Sequence, residues 1–167
     1  MLKRYTHPLM EQLWEEENKF RYWLKVELAV LEAKVELKEL PRDVHKLIRT
    51  HARINPQRIA ALEAEHDHDL IAFVKAVQES LIGTSAESYQ GEFHKRVTSY
   101  DIEDPAMVLM LQDAAAFIIA GLSRLTRILY QKAWAHQWTL MIARTHGQFA
   151  EPTTFGQLLQ VYAKAVE

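Results

Sequence analysis

With 167 residues, 49% of them apolar, and 20 basic against 22 acidic side chains for a formal charge of -2, the chain can build one sizeable core. It carries no overall field that would draw it to nucleic acid or an anionic membrane. The absence of cysteine excludes disulfide frameworks, thiolate nucleophiles and cysteine zinc sites, and it fits a cytoplasmic setting.

Few glycines and prolines, with leucine, alanine, glutamate and lysine plentiful, favour helix, so the expected class is all-α. The opening run "MLKRYTHPLMEQLWEEE" is charged where a secretory signal would be apolar, so no signal peptide is expected. From Glu15 to about Leu37, Phe20, Trp23, Leu24, Leu28, Leu31 and Val35 recur at helical spacing and predict a long amphipathic helix. Leu40-Pro41 breaks it, Val44, Leu47 and Ile48 mark a shorter helix, and Asn55-Pro56 opens a third with a cap followed by proline.

Beyond "EHDHD", the stripe Leu70, Phe73, Val74, Val77, Leu81 predicts another helix, with Asp67 and Asp69 at its N-cap and first turn. An irregular stretch, "GTSAESYQGEFHKRVTSYDIED", then precedes a helix opening at Asp104-Pro105 and running to about Trp134. Its segment "AMVLMLQDAAAFIIAGL" approaches a membrane span in length, but Gln112 and Asp113 interrupt it, so burial against protein is the expectation. "TLMIART" reads as extended. The T-x-x-Q from Thr154 to Gln157 reads as a capping box for a final helix through Leu158, Leu159, Tyr162 and Val166. That pattern is still in rhythm at Glu167, so a truncated chain is expected, divided into residues 1–104 and 105–167.

Four places carry residue types suited to chemistry. His146, between Thr145 and Gly147, sits after the presumed strand and before a helix start; histidine exchanges protons near neutrality, although a lone histidine in a turn also serves as a structural residue. In "EHDHD", His66 and His68 alternate with Asp67 and Asp69, but residues two apart on a helix diverge, which argues against a metal. His68 at a helix N-terminus instead suits a phosphate or carboxylate, or simply caps a solvated start. Thr98 and Ser99 offer short donors for the same oxygens, or a plain turn, and Arg4 with Tyr5 offers a phosphate fork or a surface pair.

Taken together, "KRYTHPLM", "HDLIAFVKAVQESL", "VTSYDIEDPA" and "RTHGQFAEPTTFG" resemble, in order and over essentially the whole chain, the adenylosuccinate lyase branch of the fumarase and aspartase superfamily. The resemblance implies an N-terminal helical domain followed by the start of a long central helix bundle. The implied reaction is β-elimination of fumarate from adenylosuccinate to give AMP, and from the related imidazole carboxamide nucleotide, in purine biosynthesis. It implies His146 as general acid and His68 as a second histidine at the substrate, with Asp67 and Asp69 beside it. Arg4 and Tyr5 would meet the nucleotide phosphate, and Thr98, Ser99 and Thr145 would line the substrate. Neither metal nor organic cofactor is implied, and the implied assembly is a homotetramer with each site built from three subunits.

Two kinds of departure stand against the family pattern. Asp67 replaces a usual arginine, Arg96 a glycine, Tyr100 a small hydroxyl residue, and Pro105 a threonine or asparagine. The family's glycine- and serine-rich loop with its Met-Pro-x-Lys-x-Asn run, which bears the serine base, is not in these residues, so the 167-residue chain alone is expected to be inactive. The alternatives are a non-catalytic helical self-association module on the same fold and a related lyase or cycloisomerase with another substrate.

Overall fold

The computed structural model describes residues 3–167, with the side chains of Lys3 and His66 outside that description. Among the described residues, seven α-helices and one hairpin follow in chain order: α1 (Pro8–Leu13), α2 (Glu16–Glu36), α3 (Arg42–His51), α4 (Pro56–His66), α5 (Asp69–Ser80), α6 (Ser99–Ala135), β1 (Leu140–Thr145), β2 (Gln148–Thr154) and α7 (Phe155–Val166). Short 3-10 turns stand at Lys3–Tyr5 and Glu87–Glu92. The chain divides into two compact units, Met1–Gln112 and Asp113–Glu167, and α6 runs from one into the other.

The first unit is built on the stripe expected of α2. Phe20, Trp23 and Leu31 are buried, and Phe20 and Trp23 meet Phe73 of α5 at ring-centroid distances of 6.0 and 5.4 Å; Phe93 closes the cluster at 6.2 Å from Phe73. Offset and edge-on contacts of this kind add to area burial as the organising energy of the unit. The end of α2 is set before Pro41 is reached. Lys38 takes a left-handed φ of 61°, while the Glu39 N–H donates to the Lys34 carbonyl at 2.8 Å and the Lys38 N–H to that of Val35 at 3.1 Å, a Schellman closure made without glycine. Asn55 caps α4 as its sequence requires, its Oδ1 accepting from the Arg58 N–H at 3.1 Å, with Pro56 at the first helical position.

A two-pronged ion pair joins α4 to α5: Arg58 Nε and Nη2 donate to the Glu79 carboxylate at 2.7 and 2.8 Å. The Arg58 hydrogen bond holds the Glu79 carboxyl below its ordinary range. Because the folded value is depressed, this contribution is present above the unfolded glutamate range and is lost as pH falls through the folded value. Both side chains are about two-fifths exposed, so solvent weakens the pair. Arg58→Met is therefore expected to lower the denaturation midpoint slightly at neutral pH. The deficit should vanish in acid, as read from melting curves across pH.

Two expectations need correction. α6 starts at Ser99, not at Asp104-Pro105, and Pro105 lies inside it. The sequence "TSYD" is the reason: the Asp101 carboxylate accepts from the Thr98 N–H at 2.8 Å, and the Asp101 N–H returns to the Thr98 carbonyl at 3.0 Å. This satisfies the first turn before the proline is reached; Pro105 then forfeits the donor that would reach the Asp101 carbonyl, and its ring crowds that carbonyl. At 37 residues α6 extends roughly 55 Å.

The second correction concerns "RTHGQFAEPTTFG", where the sequence predicts a strand end and then a helix start: it carries the end of β1, a tight turn and a second strand, β2, before α7 begins. β1 and β2 pair antiparallel, with Leu140 opposite Thr154 and Thr145 opposite Gln148, and the register shifts by one residue between Ile142 and Arg144. Half of the capping box expected for α7 forms: Thr154 Oγ1 accepts from the Gln157 N–H at 3.2 Å, while Gln157 Oε1 accepts from the Thr153 hydroxyl at 3.2 Å. Thr154→Ala is expected to cost about 1 kcal/mol, measurable as a lower chemical-denaturation midpoint. Buried positions of this unit are small (Ala114, Ala133, Gly156, Ala163), whereas Ile118, Ile119, Leu122, Leu125 and Ile128 of α6 are between 42% and 61% exposed.

Candidate active site

His146 owes its position to turn chemistry. In the two-residue connection of the hairpin, His146 has φ 51° and Gly147 φ 76°, so both central residues are left-handed, as the twist of paired strands requires. Histidine is among the side chains that tolerate this conformation, and glycine enters it freely. The imidazole is thereby set at the exposed tip, flanked by Thr145 at the end of β1. Beside the turn, the Arg144 guanidinium lies 5.0 Å from the Phe149 ring centroid.

The α4–α5 junction is organised differently from the sequence expectation. The cap of α5 is His68, not Asp67: His68 Nδ1 faces the Ile71 N–H at 3.5 Å. Asp67 instead ends α4 in the left-handed region, with φ 51° and its N–H donating to the Glu63 carbonyl at 2.8 Å. With Nδ1 turned to the helix start, the neutral His68 ring carries its proton on Nε2. Asp69 Oδ1 accepts from the Leu70 N–H at 2.8 Å, and Oδ2 lies 3.5 Å from Lys19 Nζ, which sits 4.5 Å from the Trp23 ring centroid. The His66 side chain lies outside the described residues, so the metal spacing raised by "EHDHD" has no geometry there.

Thr98 and Ser99 open α6, and Thr98 is exposed ahead of that helix start. Arg4 and Tyr5 occupy the first 3-10 turn, the guanidinium 4.9 Å from the Tyr5 ring centroid and both side chains exposed. The structure thus pairs Arg4 with Tyr5 and groups His68 with Asp69, whose Oδ1 is 3.8 Å from Nδ1. His146 and Thr145 belong to the second unit. Neither proposed histidine is walled into hydrocarbon: the His68 side chain is 46% exposed and His146 is exposed. Both rings are open to a ligand or solvent.

One group went unseen in the sequence. Glu27, wholly buried on α2, has Oε1 2.6 Å from His94 Nδ1, and its Oε2 has no partner among the described residues. Its signal was present, because position 27 falls on the apolar face between Trp23 and Leu31, where a carboxylate is costly. Nearby, Lys34 Nζ donates to the Lys95 carbonyl at 2.6 Å, and burial pushes the Lys34 ammonium below its ordinary range.

Set beside known proteins, the chain matches the Lyase family over residues 1–167. Adenylosuccinate lyase of Bacillus subtilis (strain 168) is 38% identical over 166 residues, and that of Streptococcus mutans serotype c is 40% identical over 166 residues. Each alignment covers 97% of this chain and 36% of the relative, so the chain spans little more than a third of their length. Among solved structures, fumarate lyase from Mesorhizobium sp. BNC1 superposes with a TM-score of 0.84 at 25% identity, covering 95% of this chain and 37% of that one. The 3-carboxy-cis,cis-muconate lactonizing enzyme from Pseudomonas putida gives 0.86 at 28%, covering 97% and 37%.

Proposed function

This chain belongs to the Lyase family along its whole length, and from that membership we propose that it is the N-terminal part of an adenylosuccinate lyase. The observation that carries the reading is the 38–40% identity to adenylosuccinate lyases across nearly the whole chain, against 25–28% for two superposed enzymes of other names. The reaction removes a carbon-bound proton, breaks the neighbouring C–N bond and leaves fumarate and AMP. Three groups are needed: a base for the carbon acid, an acid for the departing nitrogen, and donors for charge gathering on a carboxylate. His146 supplies the acid from the hairpin tip. His68, with its proton on Nε2, donates toward the substrate beside it, and Thr98 and Ser99 bind carboxylate oxygens ahead of the α6 helix start. Arg4 and Tyr5 take the nucleotide phosphate, and no metal or organic cofactor enters.

The serine base of the resembled family has no counterpart in these residues, so the chain alone is expected to show no turnover above background. The exposed apolar face of α6 supports assembly with further copies, a homotetramer in the cytoplasm for the complete polypeptide. The test is a substrate panel on a full-length polypeptide containing these residues. Release of fumarate from adenylosuccinate and from the imidazole nucleotide supports the reading. Turnover of a carboxymuconate alone would favour the second reading, a related lyase or cycloisomerase, for which the Pseudomonas putida likeness speaks.

A further inference from the structure

The segment joining Phe93 to Thr98 holds two non-glycine residues in the left-handed region, His94 with φ 61° and Arg96 with φ 64°. Each carries a conformational cost that glycine would avoid, and such strain persists only where surrounding contacts over-determine the backbone. The contacts come chiefly from α2 and the turn after it. Glu27 Oε1 meets His94 Nδ1 at 2.6 Å, Lys34 Nζ donates to the Lys95 carbonyl at 2.6 Å, and Glu39 Oε2 stands 3.5 Å from Arg96 Nη1. Glu27 and Lys34 lie seven residues apart on one face of that helix. From the other side, Gln78 Nε2 of α5 donates to the Phe93 carbonyl at 3.3 Å, and the Phe93 ring is locked in the core.

Lys34 and Arg96 are solvated pairings of modest worth, whereas Glu27 is 0% exposed and leaves Oε2 unmatched. A carboxylate so placed is expensive, and an apolar pair in place of Glu27 and His94 together would serve stability as well or better. Its contribution therefore lies elsewhere. We propose that Glu27 is a positioning residue: through His94 it fixes the backbone of residues 94–98 and so sets where Thr98 and Ser99 present their donors. This role rests on the lyase reading above. It adds a residue remote from the substrate whose removal misplaces groups that touch it, and misplacement well below 1 Å is enough to cost about tenfold in rate.

The experiment uses the full-length polypeptide with adenylosuccinate as substrate and compares Glu27→Leu and Glu27→Gln with the parent. Glu27→Leu leaves the His94 ring without its partner and is expected to lower the melting midpoint, and to lower kcat/KM about tenfold at a temperature where the variant is fully folded. Glu27→Gln, which can still accept from the ring N–H, is expected to recover part of that loss. Full activity in the folded leucine variant, or a glutamine variant whose kcat/KM is no better than that of the leucine variant, overturns the role while leaving the lyase reading intact. If the leucine variant does not fold, the glutamine variant decides: reduced kcat/KM at an unchanged midpoint supports the role, and parental kinetics overturn it. A parent that folds and releases no fumarate sinks the lyase reading itself, and this role with it.

Discussion

Replacing His146 with glutamine in the full-length polypeptide is expected to lower kcat by about 10²- to 10⁴-fold with little change in melting midpoint, the range lost when a positioned general acid is removed. The imidazole stands exposed at the hairpin tip, so its removal opens no cavity. Backbone strain is the competing cause, because residue 146 sits at φ 51°. Asparagine tolerates that region at least as well as histidine. His146→Asn should therefore lose as much activity as His146→Gln; recovery in the asparagine variant would mean that turn geometry, and not proton donation, is what residue 146 supplies. Steady-state fumarate release with both variants makes the distinction.

Gly156→Ala is expected to be the most damaging small change in the second unit. A Cβ at Gly156 would lie 2.3 Å from the Ala133 carbonyl oxygen and 2.7 Å from the Gln137 Cα, both backbone atoms that no rotamer change can move aside. The glycine N–H already donates to the His136 carbonyl at 3.0 Å, and the preceding Phe155 N–H to that of Thr139 at 2.8 Å, so the start of α7 is bonded directly to the turn that follows α6. Inserting a methyl group forces these backbones apart at a cost of about 3 kcal/mol, the upper part of the usual overpacking range. A clearly lowered midpoint in chemical denaturation is the expected readout. Because the hairpin hangs between the two helices, His146 is displaced as well, and activity should fall with stability; Gly156→Ala with parental stability would show that the two helices separate freely here.

How much of this was readable in the chain depended on whether the signal was local. Asn55-Pro56 and Thr154 are local statements about helix starts, and both caps form. The α6 start was misplaced because Asp-Pro is a common opening, whereas "TSYD" six residues earlier makes the reciprocal backbone bonds that decide the matter. β2 was hidden by Pro152 and by a turn of His-Gly where asparagine or aspartate before glycine would have signalled a hairpin. Asp67 looked like the cap of α5 because carboxylates suit that place, but the preceding helix claimed it for its own end and left the cap to His68.

Glu27 was legible as a charge on an apolar stripe, though its partner was not, since His94 lies 67 positions along the chain. Gly156 carried no local signal at all. Its need for a missing side chain arises from Ala133 and Gln137, a packing relation that no window of a dozen residues contains. The candidate site repeats this division: residue types and motif order came from the sequence, and the exposure of His68 and His146, which their proposed roles demand, came from the fold.

We propose that the polypeptide to which these residues belong cleaves adenylosuccinate by elimination. The direct measurement is product analysis after incubating that full-length polypeptide with adenylosuccinate alone, with no metal or cofactor added. Equimolar AMP and fumarate, accumulating in proportion to enzyme and absent with His146→Gln, is the predicted result. Intact adenylosuccinate after incubation with folded protein would contradict it.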